Sequence, residues 1–116
     1  MGKNMRSLDE MLQPVKNALI SVSDNVGHHR PNDATRTHIV YSEEDETGAL
    51  SADNGKLCQT IGGSIDLYAL PQDYKLFDKI QEALNETGVS FALESVQREE
   101  SNMGKFIHYE WTFEVT

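Results

Sequence analysis

The chain has 116 residues, with 19 acidic against 10 basic side chains and a net charge of −9. That length suits one domain with one core, and the charge repels phosphate backbones and anionic headgroups, which excludes nucleic acid and membrane as tightly held partners. No apolar run approaches the roughly 20 residues of a membrane helix, the opening MGKNMRSLDE lacks the apolar core of a signal peptide, and the single Cys58 fits a reducing compartment, so a cytoplasmic product is expected.

SLDE at 7–10 reads as a capping box that opens a helix, with Leu8, Met11, Leu12, Val15, Leu19 and Val22 at helical spacing. Pro14 distorts this helix without necessarily ending it, and Gly27 is the expected stop. HHRPNDATRT, 28–37, is polar and broken by Pro31, so it reads as a connection. HIVYSEE then gives a strand with Ile39 and Tyr41 inward and His38, Val40 and Ser42 outward. From Glu43 the chain turns acidic and poor in apolar anchors, and Asp53-Asn54-Gly55 carries a tight-turn signal, so about 43–56 is expected to be an exposed acidic loop or hairpin tip.

Leu57, Ile61, Ile65, Leu67 and Ala69 share one parity, which predicts a strand bulged at Gly62-Gly63 and ended by Pro71. A second helix follows on the stripe Leu76, Phe77, Ile80, Ala83 and Leu84, with Gly88 as its C-terminal cap. VSFALESV predicts another strand and QREESNMGK a polar turn. The closing FIHYEWTFEV alternates almost without error, placing Ile107, Tyr109, Trp111, Phe113 and Val115 on one dry face. The expected fold is a single α+β domain over 1–116, a four-stranded antiparallel β-sheet with two α-helices packed on one face, in the order α-β-β-α-β-β.

Chemistry is sparsely signalled. His28-His29 is the sharpest metal motif, yet neither a cysteine pair nor a carboxylate stands at a familiar zinc spacing nearby, so it reads as a solvated loop. His38 and His108 fall on outward parities, where cross-strand roles are the simpler reading. Cys58 has no local nucleophile signature, and Gly62-Gly63 is too weak a motif to imply a phosphate cradle. Glu43, Glu44, Asp45 and Glu46 lack the spacing of an EF-hand and read as a charge run that keeps a strand end soluble. No catalytic residue, cofactor or metal is expected.

THIVYSEE, ADNGK, GSIDLYALPQDYKLFDKIQEAL, FALESVQREE and KFIHYEWTFEV together span nearly the whole chain, and the pattern resembles small tail-terminator or tail-completion proteins of long-tailed bacteriophages and prophages. Its most telling pieces are Ile65-Asp66-Leu67-Tyr68 running into the second helix and the run from Tyr109 to Phe113. The resemblance implies a structural protein that caps the tail tube, ends its polymerisation and presents the head-tail joining surface, in the virion neck and, during assembly, the host cytoplasm. Its implied partners are copies of itself in a six-fold ring, the major tail tube protein and a head-neck connector protein, with DNA passing through the ring but not specifically bound. Glu43, Glu44, Asp45, Glu46, Asp53 and Asn54 are the expected contact residues. The alternatives are another neck protein such as a head-closure protein, a binding module or inhibitor that recruits a strand at a sheet edge, and a small ligand-binding enzyme.

Overall fold

A computed structural model describes residues 6–47, 59–101 and 104–116. The elements are α1 (Leu8–Ile20), β1 (Val26–His28), β2 (His38–Thr47), β3 (Thr60–Ala69), α2 (Leu76–Thr87), β4 (Ser90–Ser101) and β5 (Gly104–Val115). Pro71–Asp73 forms a short 3-10 turn ahead of α2. The five strands form one mixed sheet in the order β1-β2-β3-β5-β4, in which β1 runs parallel to β2 and the other pairs are antiparallel.

This corrects the four-stranded antiparallel expectation: the sheet has five strands, one pair is parallel, and the element order is α-β-β-β-α-β-β. The added strand lies where the helix stop and the polar connection were expected. It forms because α1 ends early at Ile20, leaving Val26 to His28 free to pair with Ile39 to Tyr41. Three residues with one half-buried valine carry no alternation that a sequence could signal.

Asn25 fixes this edge. It is 1% exposed, its Nδ2 donates to the carbonyls of Asp33 and Thr37, and its Oδ1 accepts from the Asp33 N–H. One side chain thus spans the connection between β1 and β2, and each of its bonds is made in a buried setting where an unmade one is costly. Gly27 is needed beside it, because a Cβ there would lie 2.0 Å from the Arg30 carbonyl oxygen.

At the start of α1 the capping box forms as read: the Glu10 N–H donates to Ser7 Oγ at 3.1 Å and the Ser7 N–H to Glu10 Oε1 at 2.9 Å. Pro14 lies inside the helix without ending it. Proline removes the donor that would have bonded the carbonyl four residues back, that of Glu10, and the Arg6 guanidinium donates to this carbonyl at 3.1 Å. The same guanidinium reaches the Thr116 carbonyl at 3.2 Å, tying α1 to the end of β5.

Both helices lie over one face of the sheet. Met11, Leu12, Val15, Ala18 and Leu19 of α1 and Ile80 and Leu84 of α2 bury against Ile39, Ile65, Leu67, Trp111, Phe113 and Val115. The alternating run of the C-terminal segment is therefore a central strand under the helices, as its dry parity requires. Strand β5 is antiparallel to both β3 and β4, so β3 and β4 run the same way, joined through α2 with β5 inserted between them. This is a split β-α-β arrangement.

The expected bulge is on the other strand. Gly62 and Gly63 pair continuously with β5, whereas the register of β2 shifts between Glu43 and Asp45, leaving Glu44 as the extra residue opposite them. Gly63 is small for another reason: a Cβ would meet the Ser42 carbonyl oxygen at 2.2 Å and the Phe113 ring at 2.6 Å. A second shift falls between Leu93 and Ser95, so Phe91, Leu93 and Val96 oppose Phe113, Trp111 and Tyr109 on the helix side. The stretch expected as a polar turn at 97–105 is mostly paired strand, from Gln97 opposite His108 to Ser101 opposite Gly104.

Trp111 is fully buried, stacks against Phe77 of α2 with ring centroids 5.3 Å apart, and donates its indole N–H to Gln81 Oε1 at 2.9 Å. Trp111→Ala is expected to cost about 3–5 kcal/mol through cavity formation and the orphaned Gln81. Thr112→Ala, on the opposite face, should cost below about 1 kcal/mol. Urea denaturation midpoints of the two variants measure the difference.

Candidate functional site

The acidic residues expected to make contacts belong to two settings. Glu43, Glu44, Asp45 and Glu46 are part of β2, which continues to Thr47, so the first residues of the expected loop are strand. Pairing through Asp45↔Gly62 and Glu46↔Ile61 holds them, which a sequence poor in apolar anchors could not signal. Asp53 and Asn54 lie outside the described residues, as does Cys58. Glu44 and Asp45 line a surface depression with Glu114 of β5, floored by Gly62 and Gly63 and flanked by Phe91 and Phe113. Three carboxylates on a small concave area give that end of the sheet a local negative field suited to basic side chains.

Glu43 is drawn the other way. Its Oε1 lies 2.7 Å from His28 Nε2 and its Oε2 lies 3.0 Å from His29 Nε2, so one carboxylate accepts from both imidazoles. The His28 ring stacks on Tyr41 with centroids 4.6 Å apart and planes 10° apart, and His29 stacks on His28 at 4.1 Å. Burial raises the Glu43 carboxyl, but the bonds from His28, its own backbone N–H and His29 outweigh it and hold the group below the usual glutamate range. Tyr41 is pushed up, by burial first and by the charges of Asp9 and Glu43 second.

The face of the sheet away from the helices carries a second cluster. His38, Tyr68 and His108 are directly opposed on β2, β3 and β5 and stack in series, at 4.9 Å and 4.2 Å between ring centroids. Phe106 closes one end edge-on to His38, which is only 5% exposed. His38 Nδ1 lies 2.7 Å from the Arg36 carbonyl, an acceptor, so the proton sits on Nδ1. Beside this stack His108 Nε2 lies 2.7 Å from Asp66 Oδ1, and Glu110 stands directly opposite Asp66. Glu110 is pushed above the usual glutamate range, by burial first and then by the Asp66 charge, with His108 opposing.

The outward parities of His38 and His108 were legible, but the company they keep was not. Asp66 and Glu110 meet through the β3-β5 register, and His28 and Glu43 through the parallel pairing of β1; neither is encoded in local spacing. The sequence contained one usable signal, a lone acidic residue between Ile65 and Leu67 on a central strand. No protein-family model matches this chain, and no curated protein matches it.

A raised folded-state pKa means that folding favours the protonated carboxyl, so charged Glu110 weakens the fold above its folded pKa and the penalty fades as pH falls toward the ordinary value of 4.5. Glu110→Gln is therefore expected to raise the melting temperature at pH 7, with the advantage shrinking as pH approaches 4.5. Glu43 has the opposite sign: its contribution is present above 4.5 and lost as pH falls through its lowered folded value, so Glu43→Gln should lower the melting temperature at pH 7. Melting curves from pH 4 to pH 8 read both.

Proposed function

We propose that the protein is a structural component of a bacteriophage tail that caps the tail tube, ends its polymerisation and offers the surface on which the head joins. The observation that carries this reading is the edge of β4, a strand of twelve residues that ends the sheet order, with Leu93 and Val96 exposed along its helix-side face. Among the described residues no further strand pairs with this edge, and an edge of that length flanked by apolar side chains is a surface for association, since backbone donors and acceptors along it invite another chain. The carboxylate-lined depression at Glu44, Asp45 and Glu114 supplies a second contact of different character, attractive to basic groups and sensitive to salt.

In this reading the partners are other copies of the chain in a closed ring, the major tail tube protein and a head-neck connector protein. Six subunits is the number that the resemblance to tail terminators brings. A heterologous contact repeated about one axis either closes into a ring or grows without limit, and closure holds a cap to a defined size. The net charge of −9 is consistent with a ring that DNA traverses without adhering. The protein would act in the virion neck and in the bacterial cytoplasm during assembly, in a mechanical role without catalysis.

Tube subunits polymerised with and without the protein, imaged by negative stain, test this. Capped tubes of limited length are expected, together with rings or ring fragments in sedimentation. Glu44→Gln combined with Asp45→Asn and Glu114→Gln should leave the melting temperature nearly unchanged, because the three are exposed, while reducing capping at low salt. A strict monomer that ignores tube ends but binds an extended peptide would transfer the β4 edge to the alternative reading, a strand-recruiting binding module.

A further inference from the structure

The turn after β1 brings two imidazoles and a carboxylate to one point, and the geometry points to a binding site there for one divalent transition-metal cation of the zinc class, held by His28, His29 and Glu43. The ligand atoms of the three residues all lie within 4.8 Å of one another. A tetrahedral zinc shell has Zn–N and Zn–O distances of about 2.0–2.2 Å, which spaces neighbouring ligand atoms about 3.3 Å apart. The Nε2 to carboxylate distances of 2.7 and 3.0 Å thus need to open by well under an ångström. Neutral imidazole nitrogens with one carboxylate oxygen suit zinc and its neighbours in the first transition row better than calcium or magnesium. Entry of the ion replaces the two hydrogen bonds to Glu43, each neutral ring carrying its proton on Nδ1 instead of Nε2. Three protein ligands leave a fourth position for water or for a group from another molecule.

The donors are positioned by the fold. Consecutive side chains of an extended chain point to opposite sides, so two adjacent histidines in a strand cannot share a ligand. Here His29 leaves the extended conformation with φ at 70°, the one positive value among the described non-glycine residues, and both rings come to the same carboxylate. Its backbone N–H is fixed to the Tyr41 carbonyl at 2.9 Å, and His28 is fixed opposite Tyr41 by the parallel pairing and by stacking on its ring. Asn25 and the close approach at Gly27 hold the turn from behind. Glu43 arrives from the neighbouring strand, fifteen residues from His28, which is why no zinc spacing is visible in the sequence.

A second group within the same limit, Asp66, His108 and Glu110, offers two carboxylates and one nitrogen, and so provides an internal comparison. The test is calorimetric titration of the untagged, chelator-stripped full chain with zinc chloride at pH 7.5, paired with melting curves. His28→Phe keeps a ring to stack on Tyr41, and His29→Gly keeps the left-handed turn, so each removes a ligand while sparing the fold. One ion per chain is expected, with a melting temperature that rises with zinc. Binding should weaken at least about tenfold in His28→Phe, His29→Gly or Glu43→Gln, and should be lost with its thermal shift when the two histidine changes are combined. Asp66→Asn with His108→Gln should leave it unchanged. Absence of binding at about 100 μM zinc, binding that survives the double histidine change, or binding abolished by the Asp66 and His108 changes would each overturn the assignment.

Discussion

Burial of the Trp111 ring between sheet and helices is the contact on which the two layers depend. The ring fills the space beneath α2, which sets Phe77 against it and lends Gln81 to its N–H, while Ile65 faces it across the β3-β5 register. An indole buried with its one donor satisfied contributes apolar area and direction together. It therefore fixes how α2 is rotated as well as how strongly it adheres. Position on a central strand makes this possible, because either neighbouring strand shields the ring from the side.

What could be read from the sequence follows from the same physics. Elements that bury a face advertise it: α1, α2, β3 and β5 are visible in the spacing of Leu12, Val15 and Leu19, of Ile80 and Leu84, of Ile65 and Leu67, and of Trp111 and Phe113. The capping residues Ser7 and Glu10 and the Gly88 cap were visible because their chemistry is local. Elements held by backbone pairing without a buried face leave no such trace. β1 has three residues, the end of β2 is a run of acids, and the outer half of the β4-β5 hairpin is polar, so all three look like loops until a partner strand is known. The candidate sites share this opacity, since each joins residues through a register: His28 with Glu43, and Asp66 with Glu110.

The two interruptions of register have a common effect. Each inserts one glutamate, Glu44 in β2 and Glu94 in β4, and each resets which side chains face the helices beyond it. At β4 the reset brings Val96 to the side of Leu93, where Ser95 would otherwise have stood. A polar residue at that point would have divided the apolar strip on the outer strand. The inserted residue lengthens the strip instead.

The two edges of the sheet are unequal, and this restricts how copies of the chain can meet. At one side stands β1, three residues followed at once by the turn at His29; at the other stands β4, four times as long. Pairing β4 with β4 of a second copy is a self-complementary contact related by a two-fold axis, and it consumes both long edges at once. Such a pair is finished at two, like two hooks closed on each other. A ring cannot be built from that contact alone: each β4 would have to seat on a different surface of its neighbour, and β1 is too short to provide a matching strand. The mismatch in edge length thus separates two modes of assembly by geometry, a symmetric pair that ends with itself and a directional contact that must find its counterpart away from the sheet edge.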